Sequence, residues 1–170
     1  MLFRSAAAKA LGVPTLYGAL YLTLIGEEQT TPYGLASLRV VTDVGVGIIV
    51  DAFQNLVEME TSKYHGFGTG VTAEAASQTA LVTEFTTQYA VDNTRPTGST
   101  TEVAQNIYQT VGTFTPDSGG TLAVTEHGIF SQAATGGGTM LDRSLFSVVN
   151  VVAAADSLQA DYRFTVTSGG

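Results

Sequence analysis

Two histidines, His65 and His127, are the only imidazoles in the chain, and three charged residues stand where they could work with the second: Glu126, Asp142 and Arg143. A catalytic zinc site can mix histidine with carboxylate, but the two histidines are 62 positions apart and neither sits in a His-x-x-x-His pattern. Neighbouring side chains on a strand point to opposite faces, so Glu126 and His127 cannot serve one site there unless a bulge intervenes. All four residues lie near one glycine-rich reversal, Gly136-Gly137-Gly138. The chemistry expected of them is structural, a Glu126–Arg143 or Asp142–His127 pair across that reversal. An exposed pair of this kind contributes about 0–1 kcal/mol.

The glycine run Gly66-Phe67-Gly68-Thr69-Gly70 invites a phosphate-loop reading and fails it. Val71 stands where the lysine of a P-loop, or the third glycine of a dinucleotide fingerprint, would be required. A tight turn between a strand and a helix is the expectation there. The aspartates do not form a calcium loop, and no Gly-x-Ser-x-Gly elbow occurs. The tyrosines Tyr17, Tyr21, Tyr64, Tyr89, Tyr108 and Tyr162 are expected at the core rim or at subunit contacts. No catalytic, cofactor-binding or metal-ligating residue is assigned, and the chain is expected not to be an enzyme.

The elements that carry these residues are β-strands. The clearest runs from Leu158 to Val166, where Leu158, Ala160, Tyr162, Phe164 and Val166 alternate with Gln159, Asp161, Arg163 and Thr165. That period of two gives one apolar and one wet face. It is expected to return from Leu145–Val152 as the second arm of a hairpin. Further strands are expected over Thr15–Ile25, Leu35–Val44, Leu56–Phe67, Glu84–Val91, Val103–Phe114 and Leu122–Phe130. In the last of these the parity breaks, so either a bulge at His127-Gly128 resets the register or the strand is buried on both sides. Short helices are expected at Phe3–Leu11, before Gly12 and Pro14, at Ile48–Leu56 and at Ala73–Leu81, with Asp43–Gly47 as a turn. Short strands separated by turn signals predict an antiparallel β-sandwich, jelly-roll-like, with one or two short helices. Residues 1–45 are expected to form an N-terminal docking arm and residues 46–170 the sandwich domain.

Bulk properties narrow the functions. The 170 residues suit one domain, and with no cysteine neither disulfides nor thiolate metal sites can form. Seven Lys and Arg are scattered against fifteen Asp and Glu, for a net charge of −8. Nucleic-acid affinity rests on clustered basic side chains, so neither nucleic acid nor an anionic membrane is expected as a partner. The uncharged run Ala10–Gly26 is interrupted by Pro14 and Gly18 and lacks a small-x-small cleavage site, so it is read as strand or arm rather than as a leader.

The segments Tyr64–Ala73, Gln78–Glu84, Thr125–Phe130, Gly136–Arg143, Phe146–Val151 and Asp156–Gln159, in that order and followed by the alternating strand, resemble a group of tailed-bacteriophage virion structural proteins. The likeness covers about Val40–Gly170. It implies a head decoration or cement protein on the outer capsid surface, made in the host cytoplasm, with the major capsid protein and copies of itself (a dimer or trimer) as partners. The alternative it implies is a tail-fibre or baseplate-associated host-contact protein. It carries no cofactor and no catalytic motif.

Overall fold

A computed structural model of the chain describes residues 15–39 and 41–167, and these form two antiparallel sheets packed face to face. The larger sheet has the order β2-β1-β8-β5-β4, built from β1 (Thr15–Ile25), β2 (Thr30–Arg39), β4 (Ser99–Ala104), β5 (Ile107–Phe114) and β8 (Ser157–Thr167). The smaller has the order β3-β6-β7, from β3 (Tyr64–Gly68), β6 (Thr121–Phe130) and β7 (Met140–Val152). One α-helix, α1 (Asp43–Phe53), lies among the described residues, with a single 3₁₀ turn at Met59–Thr61. The fold is the expected antiparallel sandwich. Its connectivity is given by these strand orders rather than by a jelly roll.

The core follows from the strand periodicity. Leu20 and Leu22 from β1, Phe114 from β5, and Leu158 and Ala160 from β8 meet Phe67, Val124, Val149 and Val151 of the small sheet. Phe67, Phe85 and Tyr89 gather their rings around Phe114 at centroid separations of 5.1–5.3 Å. A second cluster at one end joins Val41, Ile129, Leu141, Tyr162 and Phe164. The alternation read in β8 is realised: Leu158, Ala160, Tyr162 and Phe164 are buried, while Val166, near the strand's end, is exposed.

Several expectations are corrected. Residues 15–39 are not part of an arm: β1 pairs along its whole length with β8 and lies inside the large sheet, so the boundary at residue 45 does not follow the fold. The helix expected at Phe3–Leu11 lies outside the described residues. Leu145–Val152 and Leu158–Val166 do not pair as a hairpin, because β7 belongs to the small sheet and β8 to the large one. Their connection is a corner. The Asp156 carboxylate accepts from the Val152 N–H (3.0 Å), and the N–H groups of Ala153 and Ala154 donate to the carbonyls of Gly120 and Pro116. Val103–Phe114 contains a reversal at Gln105-Asn106, which makes β4 and β5 a hairpin.

The expected turn at Asp43–Gly47 is instead the start of α1. Thr42 caps it, its hydroxyl oxygen accepting from Gly45 N–H at 2.9 Å while its O–H donates to the Met140 carbonyl at 2.7 Å. Gly45 is needed because a Cβ there would run into the Leu141 carbonyl. The helix is therefore docked on β7 through backbone contact. No helix forms at Ala73–Leu81, and Glu84–Val91 makes only isolated bridges, Gly68–Glu84 and Tyr89–Pro116. Residues 69–98 run as one irregular segment over the outer face of the small sheet, where Leu81 packs on Phe130 and Met140, and along the free edge of β3, where Phe85 and Tyr89 turn into the core. Among the described residues, no helix is long and apolar enough to cross a membrane.

Candidate functional site

The cover over the small sheet explains the broken parity of β6. With the large sheet on one side and residues 69–98 on the other, Glu126 to Phe130 are all buried. The strand buried on both sides is thus the alternative realised. Its register shifts fall at Val124/Glu126 and Ile129/Phe130, not at His127-Gly128. Glu126 and His127 still point to opposite faces, and each becomes the centre of a separate buried polar group.

On the covered face, Glu126 and Arg143 form a salt bridge at 2.7 Å, with side chains 0% and 1% exposed. The Glu126 carboxylate also accepts from three backbone N–H groups: Gly70 (3.0 Å), Val82 (3.1 Å) and Thr83 (2.7 Å). Arg143 spends its remaining donors on the Thr72 carbonyl and on Gln78 Oε1, both at 3.0 Å. One ion pair therefore fixes residues 70–83, a stretch with no repeating backbone hydrogen bonds of its own. Two glycines of the Gly66–Gly70 run serve this contact. A Cβ on Gly68 or Gly70 would collide with the Glu126 carboxylate, so the run is kept for close approach to Glu126 rather than for an anion or a strand-to-helix turn.

A second arginine pins the rest of the cover. Arg95 is bidentate to Glu84, with Nη2 donating to Oε2 at 2.8 Å, and its Nη1 donates to the carbonyls of Gln132 (3.0 Å) and Gly137 (2.7 Å). Its guanidinium lies 3.5 Å from the centroid of the Phe130 ring. Arg95 thus clamps the cover to the β6–β7 connection. Planar, bidentate recognition of this sort requires arginine and not lysine.

On the inner face, His127 meets His65. Their nitrogens Nε2 and Nδ1 are 3.0 Å apart, and His65 Nε2 is 3.1 Å from Thr110 Oγ1 on the opposite sheet. Burial pushes the His65 pKa down to about 3, a nearby Asp161 only partly opposing it. Burial, and secondarily His65, holds His127 well below the usual imidazole range. Both rings are therefore neutral near pH 7, and a single proton is shared along each hydrogen bond. Asp142 does not pair with His127. Its Oδ1 accepts from Ser144 (3.0 Å), and its other oxygen stands with the Tyr162 hydroxyl over Gly18. Burial first, then the Asp142 charge beside it, raise the Tyr162 pKa well above that of a free phenol.

Thr110, His65 and His127 have the order of a nucleophile, a base and an orienting group. All three are 0% exposed, and two surface cavities, of about 500 and 260 Å³, are lined by none of them. What this arrangement can do is tie β3 and β6 to β5 across the sandwich. Among the described residues, no three His, Asp or Glu side chains converge as a metal set.

Of the residues singled out in the sequence, Glu126 and Arg143 do pair, though fully buried rather than at an exposed turn, and the two histidines meet. The sequence reading missed Glu84, Arg95 and Thr110. The available signal for Arg95 and Glu84 was scarcity: charged residues make up only 13% of the chain. No protein-family model and no curated protein matches the chain.

Proposed function

We propose that this chain is a structural protein of a tailed-bacteriophage virion, and specifically a head decoration protein that binds the outer capsid surface and bridges major capsid subunits. One observation carries the reading. The residues on which the sequence resemblance rests are held inside the fold: a Cβ on Gly68 or Gly70 would meet Glu126, Glu126 pairs with Arg143, His127 meets His65, and Asp142 accepts from Ser144. A motif packed inside in this way specifies a rigid body. Rigidity suits a subunit that acts by many modest contacts repeated over a shell, since multivalency multiplies affinity only where geometry lets all contacts engage together.

The experiment is a count. Mass analysis of purified particles carrying this chain should give a copy number on the order of that of the major capsid protein, and the chain should remain with heads after tails are removed. A handful of copies travelling with tails would replace this reading with the tail-fibre or baseplate one. Absence from particles would end both.

A further inference from the structure

One end of the molecule is apolar where it faces solvent. Helix α1 presents Val46, Val50 and Phe53, at i, i+4 and i+7, on its outer side, and Phe53 is 88% exposed. Leu56 and Val57, also exposed, continue this surface along the chain to Met59. Met59 in turn lines an open cavity of about 500 Å³ with Tyr108, Phe164 and Val166. The inner side of α1 joins the two parts, because Ile49 packs in the same cluster as Tyr108 and Phe164. Contiguous exposed apolar surface of this kind marks an interaction site.

The charges around it select the partner. Among the described residues, Asp51, Glu58, Glu60 and Glu102 belong to this end, against Lys63. Two such ends facing each other would bring like charges together, so a symmetric contact is disfavoured. The complementary piece is an apolar segment with positive charge and no acid. In this sequence only the start of the chain fits, because Arg4 and Lys9 lie among Leu2, Phe3, Ala10 and Leu11, and the first acidic residue is Glu27. That segment joins the body at Thr15, which pairs with Thr167 beside the Val166 wall of the cavity.

We propose that the apolar end binds residues 2–11 of a second copy of this chain, giving a head-to-tail contact. A heterologous contact of this type closes into a ring when its rotation permits. The inference does not depend on the virion reading, because it concerns the purified protein alone.

Light scattering on three chains tests it: the intact protein, a chain lacking residues 2–11, and the double variant V50K/F53K. The intact chain should be oligomeric and each variant alone monomeric. Mixed, the two variants should form a one-to-one complex, since one keeps the apolar end and the other keeps the segment. A synthetic peptide of residues 2–11 should bind the truncated chain, and added salt should weaken that binding. Charge reversal by E58K/E60K, at exposed sites that leave the apolar surface intact, should weaken peptide binding several-fold. Circular dichroism spectra matching the intact chain, with cooperative melts, would show that the variants fold, and the intact chain should melt higher because association stabilises it. A monomeric intact chain overturns the proposal. So does an oligomer that survives either change, or a mixture of variants that stays monomeric.

Discussion

The covered face of the small sheet and the bare end around α1 invert the usual distribution of residues. Under residues 69–98 the chain buries two arginine–glutamate pairs, while at the α1 end it leaves Val46, Val50, Phe53 and Leu56 in solvent. Each inversion has a physical cost, and the two costs are met differently. Buried charge is tolerable when it is matched by donors, and Glu126, with five hydrogen bonds from four residues, satisfies that condition. Exposed apolar surface is met only by a partner. The covered face is therefore complete within the monomer, and the α1 end is completed by association.

Removing one member of the Glu126–Arg143 pair is the most damaging way to break this contrast. Glu126→Leu leaves Arg143 buried and unpaired, at about 3–5 kcal/mol. It also strips the partner from the N–H groups of Gly70, Val82 and Thr83, each worth about 1–3 kcal/mol when buried and unmet. That is comparable to the whole stability of a typical domain, about 5–15 kcal/mol. Denaturant titration should find Glu126→Leu the most destabilised variant, with Arg143→Met less so. The double variant should recover only part of the loss, because the three backbone donors stay unmatched. Full recovery would show that the carboxylate does not hold the cover.

Within the apolar residues, Phe164→Ala in the buried end cluster should cost about 3–5 kcal/mol in the same titration. A cost under about 0.5 kcal/mol, the range of surface sites, would mean that the faces of β8 are reversed. Those faces were legible in the sequence because β8 has core on one side only. β6 was not legible, because its second covering layer comes from residues 69–98, whose shape depends on a carboxylate 43 to 56 positions away. No local pattern encodes such a segment. The β7–β8 corner failed for a related reason: polar and small residues at Ala153–Asp156 suit a hairpin and a corner equally. The choice was made by β1 and β5, which flank β8 in the large sheet. Thr42 as a helix cap could have been read, but the glycines at 45 and 47 and the β-branched residues around them argued against a helix. The reason for Gly45, contact with β7, lies almost a hundred residues away.

The histidine pair should make stability depend on pH. An unfolded histidine titrates near 6.5, whereas His65 in the fold does so at about 3 and His127 well below its ordinary value. Between these limits the unfolded chain binds protons that the native chain does not, so stability falls as pH drops below about 6.5. Each histidine contributes a slope of up to about 1.4 kcal/mol per pH unit. Unfolding free energies measured from pH 7 to 4 should show this fall, and His127→Gln should reduce its slope. An unchanged slope would mean that protons enter the native sandwich without cost.

The smallest expected effect tests the other region. Phe53→Ser removes the most exposed large apolar side chain among the described residues, and a surface change away from caps and networks lies within about 0.5 kcal/mol. Phe53 ends α1, and the cap that starts the helix, Thr42, is eleven residues away, so helix formation is untouched. Stability measured on dilute, dissociated protein should therefore match that of the intact chain, while solubility at high concentration and dye binding to exposed apolar surface should change. Set beside Phe164→Ala, the same loss of a phenyl ring separates the two regions: one ring holds the monomer together, and the other has no role until a second molecule arrives. If Phe53→Ser instead cost as much as Phe164→Ala in dilute solution, the α1 end would be part of the folded core, and the contrast between a completed face and an unfinished one would fail.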